Sequence, residues 1–162
     1  MEHPGGPAWA LALEHSGLAQ TLREAVWLYP AANVTHVVAI ALLLGSIAVY
    51  DLRVLGFSNE IPADRLARLA LPVAIGALAV AAPTGILLFI AEATAYLRNP
   101  VFLIKLALIA AALVNIVVLH RGAFRGIKQW GPNPPPSAQL AAGLSLLLWL
   151  AVVASGRLIA YF

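Results

Sequence analysis

Cysteine is absent from the 162 residues, and methionine occurs once, as Met1. The first absence excludes a disulfide framework, a thiolate nucleophile and any cysteine-based metal centre. The second removes the soft sulfur ligands that suit copper(I). Charge is scarce too: Asp, Glu, Lys and Arg make up 10% of the chain, against roughly 25% in ordinary soluble domains. The basic residues form no stripe and are not interleaved with aromatics, so the formal charge of +3 indicates no nucleic-acid partner. The sequence holds no phosphate-cradling glycine loop, no His-Glu-x-x-His and no Gly-x-Ser-x-Gly. Nucleotide hydrolysis, zinc proteolysis and serine hydrolysis therefore lack their machinery.

What the chain has is apolar length. It is 62% hydrophobic, more than one soluble core of this size could hide, so the lipid bilayer is its expected solvent. Four apolar runs, at about 33–50, 67–91, 100–120 and 137–161, each approach the roughly 20 residues that cross a bilayer as helix. Residues 8–28 read as an amphipathic helix, with Leu11, Leu18, Leu22 and Val26 near one face and Glu14, Arg23 and Glu24 interrupting it. That segment is expected to lie in the membrane interface, with Trp9, Trp27 and Tyr29 at headgroup depth and Pro30 ending it. Pro83-Thr84-Gly85 frees a backbone carbonyl in the second span and predicts a kink. The connections are too short for a separate domain. The expected fold is a single all-α unit over 1–162, a transmembrane four-helix bundle with an N-terminal interfacial helix. Residues 1–7 lack a basic n-region and an apolar h-region, so the first span is expected to drive insertion.

Basic residues set the orientation. Arg53, Arg65, Arg68, Arg121, Arg125 and Lys128 fall on one side, and Arg23 and Arg98 on the other. The first side is expected to be cytoplasmic, in a bacterial inner membrane, with both termini periplasmic. Alternating helix directions then sort the polar residues into layers. The outer layer holds His36, Thr84, Glu92, Lys105 and Arg157, with Tyr29 and Tyr96 near the surface. The inner layer holds Asp51, Arg53, His120 and Arg121, with Asp51 and Arg53 marking the boundary and pairing with Arg121. Gly45, Ser46, Gly76, Gly143, Ser145, Ser155 and Gly156 are expected to let helices approach closely.

His36 stands out, because an ionisable group inside a span is a functional-site candidate by default. One reading makes it a packing residue hydrogen-bonded across the bundle; the other makes it a cofactor ligand or proton carrier. His36 and His120 lie near opposite faces of a core about 30 Å thick, so they cannot share one iron. A b-type haem would use His36 with His15, or His36 alone. Glu92, Lys105 and Arg157 would tune that site or contact haem propionates. Lys105 and Arg157 could equally snorkel to the interface.

The segments Tyr29-Pro30…His36…Gly45-Ser46…Asp51-Leu52-Arg53-Val54-Leu55-Gly56 and Asn99-Pro100-Val101-Phe102-Leu103-Ile104-Lys105…Asn115…His120 resemble the first and third helices of a group of uncharacterised bacterial four-helix inner-membrane proteins. That group is distantly similar to the CopD copper-resistance membrane proteins and to four-helix di-haem b-type cytochromes. The resemblance covers nearly the whole chain. It implies a membrane redox or metal context, with His36 and His120 as the group's first- and third-helix histidines. The chain departs from both relatives: its spans cannot supply two histidine pairs, and it has no Cys, and no Met beyond Met1, to handle copper. The leading expectation is a redox cofactor such as b-type haem at His36, serving electron transfer. The alternatives are a cofactor-free accessory subunit of a larger respiratory or photosynthetic membrane complex, and a small transporter or proton pathway using His36, Glu92 and Lys105; the expected partners are the lipid bilayer and other membrane subunits or a second copy.

Overall fold

The computed structural model of the chain describes residues 6–161; residues 1–5, with His3, and Phe162 lie outside them. Every regular element described is helical: α1 (Ala8–Glu14), α2 (Gly17–Glu24), α3 (Leu28–Val54), α4 (Ala63–Ala91), α5 (Ala93–Arg98), α6 (Pro100–Arg121) and α7 (Pro136–Leu158), with 3-10 turns at Ala123–Gln129 and Ile159–Tyr161. Four of these helices are long and apolar enough to cross a membrane, and the chain is a multi-pass membrane protein. We call the end where α3 and α6 begin, and α4 and α7 finish, the upper end.

The segment expected as one interfacial helix over 8–28 is two. The chain breaks at His15, and Ser16 starts α2 by accepting a hydrogen bond from the Ala19 amide at 3.3 Å, the usual capping arrangement. Pro30 does not end that segment. It sits in the first turn of α3, where the missing amide proton has no intrahelical partner to lose. α4 runs unbroken through Pro72 and Pro83.

The spanning helices pack in the order α4, α3, α7, α6. α4 buries Ala63, Ala67, Ala70, Ala74, Ala77 and Ala81, spaced three and four apart so that they share one face. This alanine stripe meets Leu43, Ile47, Tyr50 and Val54 of α3. Small side chains let two backbones come close in lipid. Alanine thus does much of the work expected of glycine and serine: a Cβ added at Gly45 or Gly76 would meet nothing within 4 Å. On α7, Ala138, Ala142, Trp149 and Val152 complete the two core clusters. Leu103, Ile104, Leu106, Val114 and Val118 of α6 are exposed and face lipid.

Asn99 caps α6 through its Oδ1, which accepts from Val101 N at 2.9 Å, while its Nδ2 donates to Ile159 O at 3.1 Å and ties α6 to the end of α7. Lower in the bundle, Asn115 Nδ2 donates to Ala141 O at 2.9 Å. Arg53 is 2% exposed and does not reach Arg121 or Asp51. It braces the α3–α4 turn instead, donating to Ile61 O and, at 3.4 Å, to both Asn59 O and Asn59 Oδ1.

Ala77→Leu should overpack the α3–α4 seam and cost about 1–3 kcal/mol in detergent-mediated unfolding. Ile75→Leu, at a position 68% exposed to lipid, should change stability by much less. Equal effects would mean the alanine stripe is not a packed seam.

Candidate functional site

The α3–α4 seam carries one polar crossing at the upper end. His36 Nδ1 lies 2.9 Å from Ala81 O and 3.0 Å from Thr84 Oγ1. A carbonyl can only accept, so Nδ1 carries the proton. The Thr84 hydroxyl is committed to its own helix, donating to Val80 O at 2.7 Å and reaching Ala81 O at 3.1 Å, and so receives from the imidazole. In the neutral ring this leaves Nε2 as a bare acceptor, with no hydrogen-bond partner among the described residues. Gly85 makes the ring's position available: a Cβ there would stand 2.9 Å from His36 Cε1. The Pro83-Thr84-Gly85 motif thus works through the hydroxyl of Thr84 and the missing side chain of Gly85.

Lys105 lies within electrostatic range of the imidazole. Its ammonium packs against Gly156 of α7, where an added Cβ would lie 3.3 Å from Nζ. Among the described residues Lys105 has no ion pair and no hydrogen-bond acceptor. His36 and Lys105 are both partly buried, each accommodated by a glycine on the neighbouring helix.

An aromatic cluster closes the upper end above them. Phe89 of α4 and Phe102 of α6 stack at 5.6 Å with 6° between their planes, and Trp9 and Tyr96 pack on Phe89 at 6.4 and 6.3 Å. Burial, the nearby Tyr29 phenol and Glu92 carboxylate, and a hydrogen bond shared with Tyr29 push the Tyr96 phenol up to about 12. It therefore stays uncharged at ordinary pH. The two N-terminal helices are clamped over this cluster. Glu14 Oε1 accepts from Thr94 N at 2.7 Å and Thr94 Oγ1 at 2.8 Å. Arg23 donates to Ala91 O at 2.7 Å and Glu14 O at 2.6 Å.

The other residues expected at this site are placed differently. Glu92 is exposed at the α4–α5 junction. Arg157 is exposed and turns to the chain end, donating to Tyr161 Oη at 3.1 Å with its guanidinium 5.2 Å from that ring. Glu92 forms no ion pair with Lys105 or with Arg157 among the described residues, so no three-charge network assembles. His15 ends α1 and is exposed in the covering layer. His120 is exposed at the lower end, its Nδ1 donating to Ile116 O at 2.9 Å and its ring stacked on Phe124.

A second polar region escaped the sequence reading. Asp51, expected at the boundary, is 3% exposed; Tyr50 is also at 3%, Trp149 at 4% and Ser145 at 5%. The signal was present in spacing: Asp51 falls four residues after Ile47 and eight after Leu43, on the stripe that α3 buries.

A family model described as a family of unknown function, DUF6644, matches residues 23–162. None of the curated proteins and none of the solved structures matches the chain. The matched region takes in all four spanning helices and both polar regions, and leaves out α1 and most of α2.

Glu14→Ala removes a charged acceptor from the Thr94 amide and should cost about 1–3 kcal/mol. Hydrogen exchange at residues 8–24 and at Thr94 should speed up, while exchange in α3 stays unchanged. Unaltered exchange in the N-terminal helices would show that this clamp does not hold them.

Proposed function

The chain belongs to DUF6644, a family of unknown function, and with no activity to inherit from it we propose that His36 is the protein ligand of a redox cofactor, in first place a b-type haem, and that the protein transfers electrons at the membrane. The observation that carries this reading is the His36 Nδ1 bond to Ala81 O. Metal-bound imidazoles almost always donate their other ring proton to a carbonyl or carboxylate, which fixes the tautomer and strengthens the ligating nitrogen. His36 has that arrangement, with Nε2 bare.

The surrounding residues fit an amphiphilic planar group. Lys105, within electrostatic range of the imidazole and without an ion pair among the described residues, offers a cation for a carboxylate arm. Phe89, Phe102, Tyr96 and Trp9 cover the site toward the upper surface, and apolar side chains of α4 and α6 face lipid. His15 is exposed at the end of α1 and Arg157 turns to Tyr161, so the reading narrows to a single histidine ligand, with Lys105 as the cation for a carboxylate arm. A bound haem would supply reversible one-electron chemistry. The chain's own part is to hold the ligating nitrogen, to balance the carboxylate charge and to keep water out. The distribution of Arg and Lys between the two ends supports an orientation with the upper end and both termini outside, as in the bacterial inner membrane expected from the sequence.

The purified protein should show a reduced-minus-oxidised haem spectrum. His36→Ala should abolish it, His120→Ala should leave it, and Lys105→Ala should weaken binding without removing the band. A colourless protein, or a band that depends on His120 and not on His36, contradicts the proposal. A colourless protein that co-purifies with other membrane chains would favour the accessory-subunit reading instead.

A further inference from the structure

The lower half of the α3–α7 interface holds a carboxyl that forms no ion pair among the described residues. Asp51 is 3% exposed, and its Oδ2 is fully buried with no hydrogen-bond partner. Ser145, on the facing helix, stands beside the carboxyl. The Tyr50 phenol lies within electrostatic range of it, and its hydroxyl is likewise buried without a partner. Trp149, one turn along α7 from Ser145, has a buried and unpartnered indole nitrogen.

No charged group of the described residues pairs with this carboxyl. Arg53, two residues further along α3, is within electrostatic range of Tyr50 but gives its guanidinium to Asn59 and Ile61. Arg65, Arg121, Arg125 and Lys128 are exposed, and Arg68 pairs with Asp64 at 3.4 Å. α4 turns alanines toward α3. From α6, Asn115 is engaged with Ala141 O, and His120 is exposed. A buried carboxylate without a counter-charge is not sustained at membrane depth. One positive charge must accompany it, and only one, because there is one carboxyl. A divalent ion would want several carboxylates or carbonyl oxygens, and among the described residues no group of three His, Cys, Asp or Glu side chains forms.

We propose that Asp51, with the Ser145 hydroxyl beside it, binds one monovalent cation, a proton or Na+, inside the bundle. The site is separate from His36. The two residues are fifteen positions apart on one helix, about 22 Å at 1.5 Å per residue. The proposal therefore does not depend on a cofactor at the upper end.

The chain has only two aspartates, Asp51 and Asp64, so aspartate-specific 13C labelling reads the site in wild-type protein. If the cation is a proton, infrared spectra at neutral pH should show one isotope-shifted carboxylic-acid C=O band. That band should vanish in Asp51→Asn and persist in Asp64→Asn. If the cation is Na+, the acid band should be missing, and the thermal unfolding midpoint should rise with NaCl relative to choline chloride at equal ionic strength. That rise should be lost in Asp51→Asn and reduced in Ser145→Ala. A labelled carboxylate with no acid band, together with a midpoint indifferent to Na+, overturns the proposal, and wild-type protein alone suffices to find it.

Discussion

One hydrogen bond between spans, from His36 Nδ1 to Ala81 O, organises the upper half of this protein. It requires α3 and α4 to lie close together, and the alanine stripe of α4 provides that closeness. It also requires an opening in α4 at the level of the ring, which Gly85 provides. Once the bond is made, the imidazole has one orientation and one tautomer, and its remaining nitrogen is left unused. The proposed cofactor role depends on that remainder. An equally buried histidine with both nitrogens satisfied would be a packing residue.

Lipid explains the other polar contacts. With no water in the hydrocarbon region, backbone and side-chain polar groups must find partners inside the protein. Asn99, Asn115 and Arg53 do so by bonding to carbonyls of neighbouring segments. Glu14 and Arg23 do the same at the upper surface, fastening two short helices over the aromatic cluster. Among the described residues, His36 Nε2, the Lys105 ammonium, the Asp51 carboxyl, the Tyr50 hydroxyl and the Trp149 indole nitrogen stand outside this economy. The first two lie near the upper end, and the other three lie lower in the bundle. Polar atoms left without a partner in such an environment mark the places where something else binds.

The apolar runs made the four spans legible, and alternating helix direction placed His36, Thr84 and Lys105 at one level. The rotation of each helix was not legible, because apolar residues surround every face and periodicity selects none. Glu92 and Arg157 share the level of His36 yet are exposed, and Asp51 sits at a helix end yet faces inward. The regular alanines of α4 were the overlooked clue to rotation, since lipid-driven packing rewards small side chains more than apolar ones. The α1–α2 break was carried by Ser16, a capping residue inside an otherwise amphipathic pattern. Pro30 misled because proline both ends helices and starts them.

Ala81 O of α4 accepts the hydrogen bond from the Nδ1–H of His36, which leaves Nε2 bare. Nitrogen NMR of histidine-labelled protein freed of any cofactor tests it directly. The account predicts one imidazole, assigned to His36 by its loss in His36→Ala, protonated at Nδ1 and unprotonated at Nε2. A His36 ring protonated at Nε2 with Nδ1 bare would contradict the account.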